Sequence, residues 1–212
     1  MKNSKLTLIL EILLIIVVFV FIGVVLYDFY EGKKTDENVE EILIQLDKEI
    51  EINTNEISGV NNENLEVNDE KIGAKIQGTV SINSSMVYGK IEIPSIRLKY
   101  PILEYNEKNL KNSICNLSGT SINGTGNLSI AGHNTSNGRL FGKLRNVKSG
   151  DIIEVTNIYG QKYKYLVFKT TKVDKDDNSL LKFSSEPIIT LVTCTNSAKQ
   201  RLIVQGQLIS QN

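Results

Sequence analysis

The chain has one histidine and two cysteines, and the order His133, Cys194, Arg201 is the set of residues in it best suited to chemistry. Cys194 closes the run Ile188-Ile189-Thr190-Leu191-Val192-Thr193, which is short, apolar and β-branched and so reads as a buried strand. Residues 195–200 are polar and read as a loop, and Arg201 opens the next strand, 201–208. A thiol at a strand end is held by the sheet yet open to solvent, as a nucleophile requires. Its thiolate can attack a carbonyl carbon and form a thioester. An imidazole can protonate the departing amine. A guanidinium can hold the developing oxyanion or the substrate backbone. Those three roles fall to Cys194, His133 and Arg201.

Each residue also has a plainer reading. Cys115 and Cys194 could pair as a disulfide, as two cysteines outside the cell usually do. The protein would then be a membrane-tethered extracellular β-domain that only binds. A lone histidine after a strand is more often a surface or core residue than a catalyst. An arginine at a strand start is commonly a solvated edge residue.

The rest of the composition narrows the field. Lysines and arginines number 24, as do aspartates and glutamates, and the basic residues are scattered, so no face is suited to reading phosphates. With two cysteines, no CxxC pair and one histidine, the chain lacks the ligands of a structural zinc site. No metal or other cofactor is expected. Asp174, Asp176 and Asp177 offer oxygens for calcium, but this acidic loop reads first as a solvated turn.

The elements that must position the three residues come after a long apolar segment. Residues 6–27, LTLILEILLIIVVFVFIGVVLY, carry a single charge, Glu11. A run of this length matches the roughly 20 residues that cross a bilayer core. It is longer than the apolar region of a cleavable signal, and no small-residue cleavage site succeeds it. Residues 1–28 therefore read as a signal anchor, single-pass in the cell membrane. Lys2 and Lys5 keep the N-terminus cytoplasmic and the remainder outside. Residues 29–85 change character, being rich in Glu, Asp, Asn and Lys. Val39, Ile42, Leu43, Leu46 and Ile50 recur there on one face of an amphipathic helix. That helix reads as a stalk, or as a cover for the C-terminal domain, rather than a partner-binding surface. Residues 53–68 show no periodicity and read as a linker.

From Met86 the pattern is β. Alternating runs at 88–94, 96–103, 127–133, 152–155 and 162–169 precede the two strands around Cys194. About seven or eight short strands with little helix imply a closed or nearly closed β-barrel or a sandwich. Residues 106–112 read as a short helix, and 140–144 as one helical turn.

Several local strings carry a family resemblance. Thr190-Leu191-Val192-Thr193-Cys194 resembles the TLxTC signature of sortases, the cell-wall cysteine transpeptidases of mainly Gram-positive bacteria. Ile130-Ala131-Gly132-His133-Asn134 is similar to their strand ending in a histidine, and Arg201-Leu202-Ile203-Val204 to their arginine-led last strand. Gly89-Lys90-Ile91-Glu92-Ile93-Pro94-Ser95-Ile96 resembles their opening G-x-I-x-I-P-x-I. The resemblance covers residues 86–208. It implies a mainly β fold: a closed sortase-type barrel of about eight strands with short helices, preceded by a transmembrane helix, with the catalytic domain at 86–212. It implies a thioester on Cys194 formed from an LPxTG-like C-terminal sorting signal, with possible release to water. It implies transfer to an amine of a peptidoglycan precursor or a pilin, with surface proteins as partners. Thr193 and Asn134, flanking the cysteine and histidine, are candidates for substrate binding or support. The strings do not separate classes A, B, D and E; a pilus-building class C enzyme fits less well, since no Pro-rich lid segment precedes the barrel. Cys115 matches no motif.

Overall fold

The computed structural model describes residues 2–57, 78–120, 122–195 and 197–212. Two compact units divide at residues 40 and 41. The first lies within helix α1 (Lys2–Ile57), which is long and apolar enough to cross a membrane. Its apolar side chains stand exposed, from Leu8 through Phe19 and Phe21 to Tyr30.

The second unit is built on nine strands among the described residues: β1 (Val80–Ile82), β2 (Ser85–Ile93), β3 (Leu98–Glu104), β4 (Ile114–Asn116), β5 (Asn127–Ala131), β6 (Ile152–Asn157), β7 (Lys162–Asp174), β8 (Ile188–Thr195) and β9 (Gln200–Gln211). Eight of them close a barrel in the order β2-β3-β4-β5-β8-β9-β7-β6, with β6 returning to β2. β1 pairs with the start of β2, Val80 opposite Val87, and β6 takes over the same edge from Gly89, which faces Asn157. Gly89 has φ 151° and lies so close to the Thr156 carbonyl that a Cβ would collide with it. The barrel closes through a position that requires glycine.

Alternation fills the barrel. Ile91, Ile93, Ile102, Ile130, Ile153, Val155, Ile189, Leu191 and Val204 point inward with Phe141, Tyr163 and Tyr165 into one core. Pro94, which has no N–H to give to the ladder, ends β2, and a 3-10 turn (Pro94–Ile96) leads to β3. Helix α2 (Glu107–Asn112) is capped by Asn106, whose side chain accepts from the Asn109 amide at 2.8 Å.

A second cluster lies outside the barrel. Ile42, Leu46 and Ile50 of α1 pack with Ile82, Val87, Leu103, Cys115 and Ile158. Leu46 is fully buried, a burial that contributes about 1.5–3 kcal/mol. Asn53 donates its amide to the Ile158 carbonyl at 2.9 Å, and Lys90 meets Asp47 at 2.7 Å. The apolar face read from the sequence is thus occupied by the barrel.

The structure corrects several sequence expectations in detail. Residues 53–57, expected to open the linker, continue the helix, because Asn53 finds its partner on the barrel; the stretch 58–68 lies outside the described residues. Strand structure begins at Val80 rather than Met86. β7 runs on to Asp174, since its far end pairs with β9 from Val204 to Gln200. The helical turn near residue 140 is a 3-10 turn at Leu144–Asn146.

Candidate active site

The site lies at one end of β5, β8 and β9. Along β8, Ile189 and Leu191 enter the core, so Thr190, Val192 and Cys194 face outward. Cys194 is partly exposed, and its Cα partner across the ladder is Arg201 of β9. The thiol and the guanidinium therefore share one face of adjacent strands.

His133 is placed by the two residues before it. β5 pairs in parallel with β8 as far as Ala131 opposite Val192. Gly132 then donates its N–H to the Val192 carbonyl at 3.1 Å and accepts from the Thr193 hydroxyl at 2.7 Å. A Cβ on Gly132 would come within 2.8 Å of Ile114 and 2.9 Å of Phe141, so only glycine lets the chain pass this close. His133 emerges exposed, its carbonyl accepting from the Phe141 amide at 3.0 Å. Asn134 reaches back and donates to the Cys194 carbonyl at 2.8 Å. Thr193 and Asn134 each tie the cysteine strand to the histidine segment.

Arg201 is braced by its own turn. Its guanidinium donates to the carbonyls of Ala198 at 3.0 Å and Gln200 at 3.3 Å. Ser197 and Ala198 both adopt positive φ, 51° and 67°, in the turn that presents the Ala198 carbonyl to the guanidinium.

His133, Cys194, Arg201 and Thr193 line one cleft of about 340 Å³. Its floor is Ala131, Val192 and Ile203. One wall is Tyr105, Leu110 and Leu117, around α2; the other is Lys175, Asp177, Asn178 and Leu181, from the β7–β8 connection. Sequence reasoning missed both walls. The acidic loop that reads as a solvated turn supplies part of the cleft: Asp177 accepts from the Ser179 amide at 2.9 Å, and its bonds with Ser179 hold its carboxyl below the usual range. Lys175 and Asp177 are nonetheless exposed, so their polarity alone could not have marked them as lining.

The two cysteines are free, which corrects the disulfide on which the binding-only reading rested. Cys115 is buried in the outer cluster under α1, and Cys194 stands in the cleft.

A closed barrel with a thiol, an imidazole and a guanidinium lining one cleft is an arrangement that can be compared with known proteins. A family model described as "Sortase domain" matches residues 91–209. The chain is 30% identical to Sortase A of Bacillus anthracis over 214 residues, 99% of this chain and 97% of that protein. Among solved structures, sortase A of Listeria monocytogenes aligns with a TM-score of 0.56 at 28% identity, covering 59% of this chain and 89% of that one. A Clostridium perfringens sortase D5 transpeptidase aligns with a TM-score of 0.57 at 28% identity, covering 68% and 91%. The chain belongs to the sortase family, and its barrel is the sortase fold.

Proposed function

We propose that this sortase cleaves an LPxTG-like sorting signal and transfers the acyl part to an amine of the cell wall. The Cys194 thiolate attacks the threonine carbonyl carbon. A C–S bond forms, the Thr–Gly C–N bond breaks, and the departing glycine amine takes a proton from His133. An incoming amine then attacks the thioester, gives its proton to His133 and releases Cys194. Arg201, braced by its own turn, faces the oxyanion formed in both steps. The acceptor is a peptidoglycan precursor or a pilin amine, and no metal is assigned to any step. Thr193 and Asn134 keep the cysteine and histidine segments in register.

The observation that supports this most is the joint placement of His133, Cys194 and Arg201 in one cleft, with Cys194 and Arg201 opposite each other on paired strands. Residues 1–28 serve as the anchor, residues 29–85 connect it to the catalytic part, and residues 86–212 carry the chemistry. Lys2 and Lys5 hold the N-terminus on the cytoplasmic side, and the cleft works outside the membrane.

The test is intact mass spectrometry of the full chain in detergent with LPxTG-type peptides. An acyl adduct on Cys194 is expected, absent in Cys194→Ala and discharged by an added amine. Discharge by water with no amine product would make the enzyme a hydrolase. No adduct with any such peptide would overturn the assigned substrate.

A further inference from the structure

We propose that Asn127, at the start of β5, is a positioning residue that sets one wall of the catalytic cleft through main-chain carbonyls of the β7–β8 connection. The inference rests on reading that cleft as the sorting-peptide site.

The wall has two fixed ends. At one, Asp174 pairs with Gln200, and the Lys175 amide donates to the Lys199 carbonyl at 3.2 Å. At the other, Pro187 accepts from the Leu208 amide at 2.9 Å, and Ile188 enters β8. Between them the chain lies over the outer face of β5 and β8. Lys175, Asp177, Asn178 and Leu181 of this segment line the cleft. Beyond the Asp177 amide, which donates to the Asp174 carbonyl at the end of β7 at 3.1 Å, the hydrogen bonds among the described residues that tie residues 176–186 to the sheet come from Asn127 and Thr190.

Asn127 makes three contacts a unit. Its amide nitrogen donates to the Leu180 carbonyl and to the Lys182 carbonyl, each at 3.0 Å. Its amide oxygen accepts from the Thr190 hydroxyl at 2.7 Å. Thr190 also lies 3.4 Å from the Leu180 carbonyl and accepts from Gln205 at 3.2 Å. The two captured carbonyls flank Leu181, in the 3-10 turn Ser179–Leu181, so the latch closes on either side of a cleft-lining residue. Leu181 and Asn178 are fixed by a side chain that itself lies outside the cleft. An asparagine is needed: both donors are spent on carbonyls and the oxygen on a hydroxyl, a combination that neither aspartate nor serine supplies. Releasing the latch returns backbone freedom to the wall around Leu181. The wall then spreads over many conformations, and the bound peptide must order it again.

The experiment compares Asn127→Asp and Asn127→Ala with the parent chain, full length in detergent. Asp keeps the shape and the acceptor for Thr190 but loses both donors, so it isolates the latch from general packing. Three readouts are taken: the KM and kcat for an LPxTG-type peptide, the rate of Cys194 alkylation by iodoacetamide, and hydrogen exchange by mass spectrometry. Both variants are expected to raise KM about 5–10-fold and leave kcat within about twofold. Cys194 alkylation should stay unchanged, and exchange should rise within residues 176–186 while β5 and β8 stay protected. Unchanged exchange at 176–186, or exchange that rises equally across β5 and β8, overturns the proposal. So does a fall in kcat and in alkylation with KM unchanged. If the parent chain does not turn over the peptide, the substrate reading has failed, and the exchange pattern still decides whether Asn127 holds the wall.

Discussion

One row of residues crosses the outside of the barrel and meets two different fates. Leu103, Cys115, Ala131, Val192 and Ile203 stand opposite one another on β3, β4, β5, β8 and β9. Leu103 and Cys115 are covered by Ile42 and Leu46 of α1. Ala131, Val192 and Ile203 are left as the cleft floor, with Cys194 at their edge. Leu110 of α2 marks the boundary, packing against the covered cluster and lining the cleft. The covered end loses its thiol to burial: removal from water pushes Cys115 up to about 12, although a backbone hydrogen bond from Asn106 works against this. A cysteine on this sheet becomes a reagent only where no helix lies over it, so the cover determines which thiol can react.

Selective alkylation gives the largest expected contrast. At pH 8 a thiol titrating near 12 has about one molecule in ten thousand ionised, and only the thiolate reacts. Iodoacetamide on the native chain should therefore modify Cys194 at least about a thousandfold faster than Cys115. Peptide mapping after a timed quench reads the ratio. Comparable labelling of both would break the distinction between covered and open ends.

How far the sequence carried this picture depends on where each partner lies. The strand ending at Cys194, the strand opening at Arg201 and the barrel of about eight strands were legible because alternation and β-branching are local. So was the apolar face of Ile42 and Leu46, although not what it would cover. The helical continuation through Asn53 was not, since its amide bonds a carbonyl 105 positions away. The cleft wall at Lys175 and Asp177 was hidden for the opposite reason: its residues look solvated because they are, and only the path of the β7–β8 connection brings them to the thiol. Asn127 carried no signal at all, being one polar residue at a strand start whose partners are mostly main-chain carbonyls.

The cover itself can be loosened. Leu46→Ala removes a fully buried side chain from the cluster and should cost about 2–5 kcal/mol. Chemical denaturation measures the loss. The same variant should raise the alkylation rate of Cys115 at least about tenfold while leaving that of Cys194 nearly unchanged. If Cys115 stays silent in a protein destabilised by that amount, the barrel strands rather than the helix shield it, and the comparison moves to β3 and β4.

The smallest effect is alkaline, and its sign is set by the direction of the Cys115 shift. Folding holds this thiol neutral up to about 12, whereas in the unfolded chain it ionises near 9. Its contribution is intact below pH 9 and is lost as pH rises from there toward 12, because the unfolded state sheds its proton first. By pH 10, one unit above the unfolded value, the loss should be about 1.4 kcal/mol. Tyr163 and Tyr165, also raised by burial, give way at higher pH, so the early part of the decline belongs to Cys115. Denaturant midpoints for the parent and Cys115→Ala between about pH 8 and 10 should converge as pH rises, whatever the baseline cost of the substitution. Parallel curves would mean that Cys115 ionises in the folded protein as it does in the unfolded chain, and that α1 shields it from reagents without excluding water.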